Sequence, residues 1–134
     1  MTNYERLVEF HRAVNGSISK RPSTPDSDML ELRETLIHEE YKEVTEELRI
    51  LAQGVERNEN ASINKVVHEL IDLLYVTYGT LVEFGVNADE VFAEVHRANM
   101  RKLDGPKRSD GKQLKPEGWQ AADVAGVLER QHRR

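Results

Sequence analysis

"INKVVHELIDLLYVTYGTLVEF", running from Ile63 to Phe84, decides the fold. Its apolar residues fall on nearly every side of a helix, and a helix with no wet side belongs in a core or at a subunit interface. Ser62 in front and Gly85 behind are start and stop signals. Only Glu69 and Asp72 interrupt its middle, one turn apart. Upstream, "LIHEEYKEVTEEL" (Leu36 to Leu48) lies in a second helix predicted from Ser27 or Asp28 to about Gln53, with Gly54 ending it.

The remaining elements follow from caps and breakers. Thr2 caps a first helix whose apolar positions Tyr4, Leu7, Val8, Phe10 and Val14 recur at helical spacing, and Asn15-Gly16 stops it. "SISKRPSTPDSD" reads as a loop, since Pro22 and Pro25 forbid regular helix. Asn87, with Glu90 three residues on, has the form of a capping box for a fourth helix reaching about Leu103. "DGPKRSDGKQLKPEGW" is a long Gly/Pro/Lys loop, expected to become ordered when ligand binds. "AADVAGVLERQH" is a short final helix, expected to fray. No strand alternation or repeat appears. The expectation is a single all-α domain over residues 1–134, a four-helix bundle with a basic C-terminal loop and a short final helix. The third helix is too apolar for one small subunit to cover, so a homodimer is expected.

Composition narrows the function. The net charge is -5 in 134 residues, which disfavours a stable nucleic-acid partner. The absence of cysteine excludes disulfides, a thiol nucleophile and a zinc-thiolate site. No apolar run is long enough to span a bilayer and the N-terminus lacks a signal-peptide core, so the expected address is cytoplasmic, with no membrane partner. Acids crowd residues 31–59, whereas Arg97, Arg101, Lys102, Lys107, Arg108, Lys112 and Lys115 form a basic stretch.

On a helical wheel, Leu32, Leu36, Ile37, Val44, Leu48 and Leu51 share one broad sector of the second helix. Glu40 and Glu47 fall inside that sector, with Glu39 and Glu43 at its edge and Glu31, Glu34 and Glu46 outside it. Glu47 also reads as a snorkelling acid near the helix end. Glu69 and Asp72 repeat the anomaly on the third helix. A lone acidic run of this kind is usually a solvated face. Here two acid sets interrupt apolar faces of two helices expected to pack together. Buried carboxylates must be protonated, paired or metal-bound. Arg33, the one cation on the second helix's apolar face, cannot neutralise them all. All-carboxylate ligation suits Mg²⁺ or Mn²⁺ rather than zinc. His68 lies about 100° from Glu69 on the wheel, which argues against a ligand role.

Glu39-Glu40-x-x-Glu43, then twenty-five residues, then Glu69-x-x-Asp72, resembles the signature of the all-α nucleoside triphosphate pyrophosphohydrolases. That superfamily includes MazG-like enzymes, dimeric dUTPases and phosphoribosyl-ATP pyrophosphohydrolases. "ERLVEFHRAV", "LRETLIHEE", "HELIDLLYVTYGTL", "VFAEVHRANMRK" and "DGKQLKPEGW" look most like the bacterial MazG-like dUTP pyrophosphohydrolases. The resemblance implies a dimerising four-helix module holding about two or three Mg²⁺ or Mn²⁺ ions per site. It implies cleavage of a nucleoside triphosphate, preferably dUTP, to monophosphate and pyrophosphate. Glu40, Glu43, Glu69 and Asp72 would be the principal ligands. Glu39 would help hold a further metal and orient or deprotonate the attacking water. A broader house-cleaning or phosphoribosyl-ATP pyrophosphohydrolase is the alternative, and a non-catalytic helical interaction module is a third reading.

The chemistry suits these residue types. Attack at the α-phosphorus needs a nucleophile stronger than neutral water, which a metal supplies by lowering the pKa of bound water. Cations must take up charge on the leaving pyrophosphate. Arg101, Lys102 and Lys115 are candidates, with Arg97 a weaker one. The Asn99 amide is expected to point inward, toward sugar, phosphate or a neighbouring backbone. Tyr75, Tyr78 and Trp119 offer aromatic faces for a base, although core or interface packing accounts for each as well.

Overall fold

Thr2 and Glu5 close a reciprocal capping box, Glu5 N–H to Thr2 Oγ1 at 3.1 Å and Thr2 N–H to Glu5 Oε2 at 2.6 Å, and so launch α1 (Asn3–Asn15). The computed structural model describes residues 1–134. Gly16, at φ 75°, ends α1 in the left-handed conformation that glycine adopts without strain. Asp26 accepts from the Met29 amide at 2.8 Å and opens α2 (Ser27–Glu56). α3 spans Asn64–Glu83, with the Ser62 hydroxyl accepting from the Asn64 amide at its entrance. α4 (Ala88–Met100) continues into a single 3₁₀ turn, Arg101–Asp104, and α5 spans Val124–His132. The chain is all-helical, as expected, apart from one isolated antiparallel bridge between Lys107 and Gln113.

α3 is the hub. α2 packs along it most extensively, α1 lies on another side, and α4 touches α1 and α3 while carrying α5. Leu7, Val44, Val66, Val82, Val86, Ala88, Ala98 and Val127 form the buried core. Gly79 lets three helices converge, because a Cβ there would stand 2.5 Å from His11 Nε2 and 2.9 Å from Arg33 NH2. His11 of α1 is 2.6 Å from Glu83 Oε1, which also accepts from the Asn15 amide. Gly85, at φ 70°, serves a different close approach, where a Cβ would meet the Arg21 carbonyl at 2.0 Å.

Several expectations need correction. α2 runs through Gly54, which is buried because the returning connector brings Ala61 Cβ within 3.3 Å of where its own Cβ would be. Glu90 closes no capping box. Asn87 alone caps α4 through the Asp89 amide, and Glu90 reaches Gln131 and Arg134 at the far end of the chain instead. The final helix is docked on α4. Val127 and Gln131 are buried, and the Gln131 amide both accepts from Asn87 N–H and donates to Asn87 C=O. α4 ends three residues before Leu103, where the backbone tightens into the 3₁₀ turn. The 104–118 loop is held by polar contacts of its own. Its Gln113 amide donates to the carbonyls of Lys102 and Gly105, and Leu114 N–H bonds Pro106 C=O.

Only 14 of the 134 residues are buried, and the uncovered apolar side chains are concentrated. Ile63, just before α3, and Val67, Leu70, Ile71 and Leu74 of α3 are each two-fifths or more exposed. Leu32 and Leu48, expected within the apolar sector of α2, are about half exposed as well.

Candidate metal centre

Antiparallel packing of α2 on α3 brings Glu40 and Glu43, one turn apart, against Glu69. One carboxylate oxygen from each lies within 4.8 Å of the other two. One oxygen each of Glu40 and Glu69 is fully buried and receives no hydrogen bond. Such atoms are costly to leave unpaired, so a partner of opposite charge is called for.

The electrostatics agree. Burial, then the neighbouring Glu43 carboxylate, then Asp72 and Glu69, push the Glu40 carboxyl above the ordinary range. Glu69 is also raised, first because Glu43 lies close enough to share a proton with it, then by burial and by the charges of Glu43 and Asp72, with His68 opposing. The converging carboxylates thus make Glu40 and Glu69 harder to ionise.

The other predicted acids stand further out. Asp72 is partly exposed and lies outside the three-carboxylate group, its Oδ2 3.4 Å from His68 Nε2. Its charge still bears on Glu40 and Glu69. Glu39 is exposed and outside the group. Glu47 instead lines a separate cleft with Ile50, Leu51 and Lys65. Arg33 does not neutralise the acids. It is buried against α3, where Nε donates to Thr80 Oγ1 at 3.0 Å and NH2 to the Val76 carbonyl at 2.8 Å.

Two of the predicted cations gather elsewhere, over one indole. The Lys102 and Lys115 ammonium groups each lie 4.9 Å from the centre of the Trp119 ring, and Trp119 Nε1 donates to the Ala98 carbonyl. Arg101 holds the same segment through the Gln120 carbonyl. Trp119 is therefore engaged by lysines as well as by packing. Arg97 is committed to Glu94 through two bonds, and with the Asp123 amide it holds that carboxyl at about 2. Asn99 does not turn inward. It is exposed, as are Phe92 and Val95, because nothing in this chain covers that face of α4. Tyr78 donates to Asp89 across the α3–α4 contact. Tyr75, one turn beyond Asp72, meets Phe10 of α1 edge to face at 5.6 Å, and both rings are partly exposed. The sequence pattern counted Phe10 only as a core position. A cleft between α1 and residues 18–20 shares no residue with the acid cluster.

The donor set fits a hard divalent cation: three converging carboxylates, two with orphaned buried oxygens, and no sulfur or imidazole among them. No curated protein matches the chain. The family profile described as phosphoribosyl-ATP pyrophosphohydrolase matches residues 7–99, more than half of the sequence and all of the acid cluster. On that match the chain belongs to the phosphoribosyl-ATP pyrophosphohydrolase family, within the MazG-like all-α NTP pyrophosphatase superfamily, and is a nucleotide pyrophosphohydrolase.

Proposed function

We propose that the protein hydrolyses a nucleoside triphosphate to the monophosphate and pyrophosphate with Mg²⁺ or Mn²⁺ at the α2–α3 acid cluster. The observation that carries this reading is the pair of buried, unpartnered oxygens on Glu40 and Glu69 beside Glu43. Glu40, Glu43 and Glu69 would hold the cation, with Asp72 joining them at the solvent side. The cation supplies charge neutralisation and a more acidic water, as divalent ions do in phosphoryl chemistry. Glu39, exposed and next to Glu40 in the chain, would take a proton from the attacking water. Arg101, Lys102 and Lys115 would receive the polyphosphate, the lysines leaving the indole to do so.

The family match favours the broader alternative over dUTP preference, since its description names phosphoribosyl-ATP. Selectivity for dUTP is supported by the resemblance along the whole chain, which includes "RANMRK" and "DGKQLKPEGW", nearly all of which lies beyond the matched residues. Tyr75 and Phe10 offer an aromatic surface for either base one turn from Asp72. The exposed α3 stripe and the open face of α4 support a homodimer, since a patch of that kind is rarely left to solvent. A nucleotide substrate fits a cytoplasmic enzyme. The test is pyrophosphate release over phosphoribosyl-ATP, dUTP, dCTP, dTTP, UTP and dATP, with Mg²⁺ and with EDTA. Metal-dependent turnover of at least one is expected, and no turnover of any would overturn the reading. Equal rates with all would remove dUTP selectivity.

A further inference from the structure

Arg33 is a buried cation that the chemistry above does not use. It sits seven residues before Glu40 on α2, and its acceptor Val76 sits seven residues after Glu69 on α3. Because the helices run antiparallel, the Arg33–Val76 bond and the Glu40–Glu69 approach express one register, about 10 Å apart along the axis. Between them lie Leu36, Ile37 and Leu73, whose packing is non-directional and tolerates sliding. At the acid end the contact is repulsive: three carboxylates converge, two of them with buried, unpartnered oxygens. A slip of one turn would carry Glu40 about 5.4 Å, further than the whole spread of the cluster.

Arg33 is built to resist such a slip. Its guanidinium makes two directed bonds to α3, and Gly79 leaves the gap that admits it. Thr80 is itself held, its hydroxyl donating to the same Val76 carbonyl at 2.7 Å. We propose that Arg33 is a positioning residue for the metal centre, its bonds to Val76 and Thr80 fixing the register in which Glu40 and Glu43 face Glu69. The inference rests on the reading that these acids hold a divalent cation.

The test is Mn²⁺ binding to the full-length, nucleotide-free protein by calorimetry and electron paramagnetic resonance, for wild type, Arg33→Met and Arg33→Lys. Folded Arg33→Met should bind Mn²⁺ about tenfold more weakly, or worse, because losing a residue that orients metal ligands typically costs about ten- to a hundredfold in metal affinity. Arg33→Lys, which restores a donor, should recover part of the affinity. At saturating Mn²⁺ the nucleotide KM should change by less than about twofold, since nucleotide contacts are untouched. Val127→Ala, which loosens the α4–α5 contact, controls for general destabilisation and should bind Mn²⁺ as wild type does. Wild-type affinity in folded Arg33→Met overturns the proposal and leaves the metal centre standing, whereas a wild type that binds no Mn²⁺ overturns both. If Arg33→Met does not fold, Thr80→Val removes one of the two bonds that tie Arg33 to α3, together with the hydroxyl's own bond to the Val76 carbonyl. It should weaken Mn²⁺ binding about threefold, in line with one lost hydrogen bond, and unchanged binding then overturns the proposal.

Discussion

Neutralising Glu40 should make the metal-free protein more stable while ending its activity. Glu40→Gln keeps the shape of the side chain and removes one of three negative charges whose oxygens lie within 4.8 Å of one another. Two unit charges at that separation repel by about 1 kcal/mol in water-like surroundings and about 3.5 kcal/mol at an effective dielectric near 20. Glu40 is only partly buried and Glu43 is exposed, so the lower figure sets the scale. Relief of two such pairs, reduced by partial protonation, amounts to about 1–2 kcal/mol, or roughly 3–8 °C in Tm for a domain of this size. Excess Mn²⁺ should reverse the order, since ligand at a hundred times Kd stabilises the wild type by about 2.7 kcal/mol. The assay is thermal unfolding by circular dichroism at mildly alkaline pH, in EDTA and then in Mn²⁺. A Glu40→Gln protein less stable than wild type in EDTA, or a wild type indifferent to Mn²⁺, would refute the reasoning.

Other outcomes follow from the same structure. Glu40 and Glu69 have raised carboxyls, so the metal-free native state binds more protons than the unfolded chain. Its stability should fall as pH rises from the ordinary carboxylate range through their raised values, a slope that Glu40→Gln flattens in urea titrations. Glu94 works in the opposite sense: its contribution is present above the ordinary carboxylate value and is lost as pH falls toward about 2. Gln131→Ala should cost about 1–3 kcal/mol by stranding the Asn87 amide and carbonyl, with turnover retained, as urea midpoints and rates will show. Replacing Lys102 and Lys115 together by alanine should raise the KM for triphosphate and alter Trp119 fluorescence before any ligand is added. Leu70→Glu with Leu74→Glu should convert a dimer to monomer in sedimentation, both side chains lying in the exposed α3 stripe.

The helices were legible because their apolar spacing and caps are local. Thr2 and Asn87 act within three residues of themselves, and tertiary packing leaves that intact. The convergence of Glu40, Glu43 and Glu69 was legible for a related reason: acids interrupt the apolar faces of both helices at positions that meet when the two pack. What escaped depends on distant partners. Glu90 mimics a capping box, yet Arg134, forty-four residues away, offers it a charge that the Asn87 amide does not. α5 looked frayed because its anchor, Gln131, is a polar residue that no hydrophobic pattern counts. Asn99 was turned inward on the assumption that its face of α4 is covered, and within one chain it is open. Arg33 carried no hint in its own helix of the carbonyl and hydroxyl that receive it on α3.

The most direct measurement is anomalous diffraction from crystals of the wild-type protein grown or soaked with Mn²⁺. A manganese peak bounded by the carboxylates of Glu40, Glu43 and Glu69, absent from Glu40→Gln crystals treated alike, is the predicted result. Metal-dependent turnover in solution together with no manganese between α2 and α3 would contradict it.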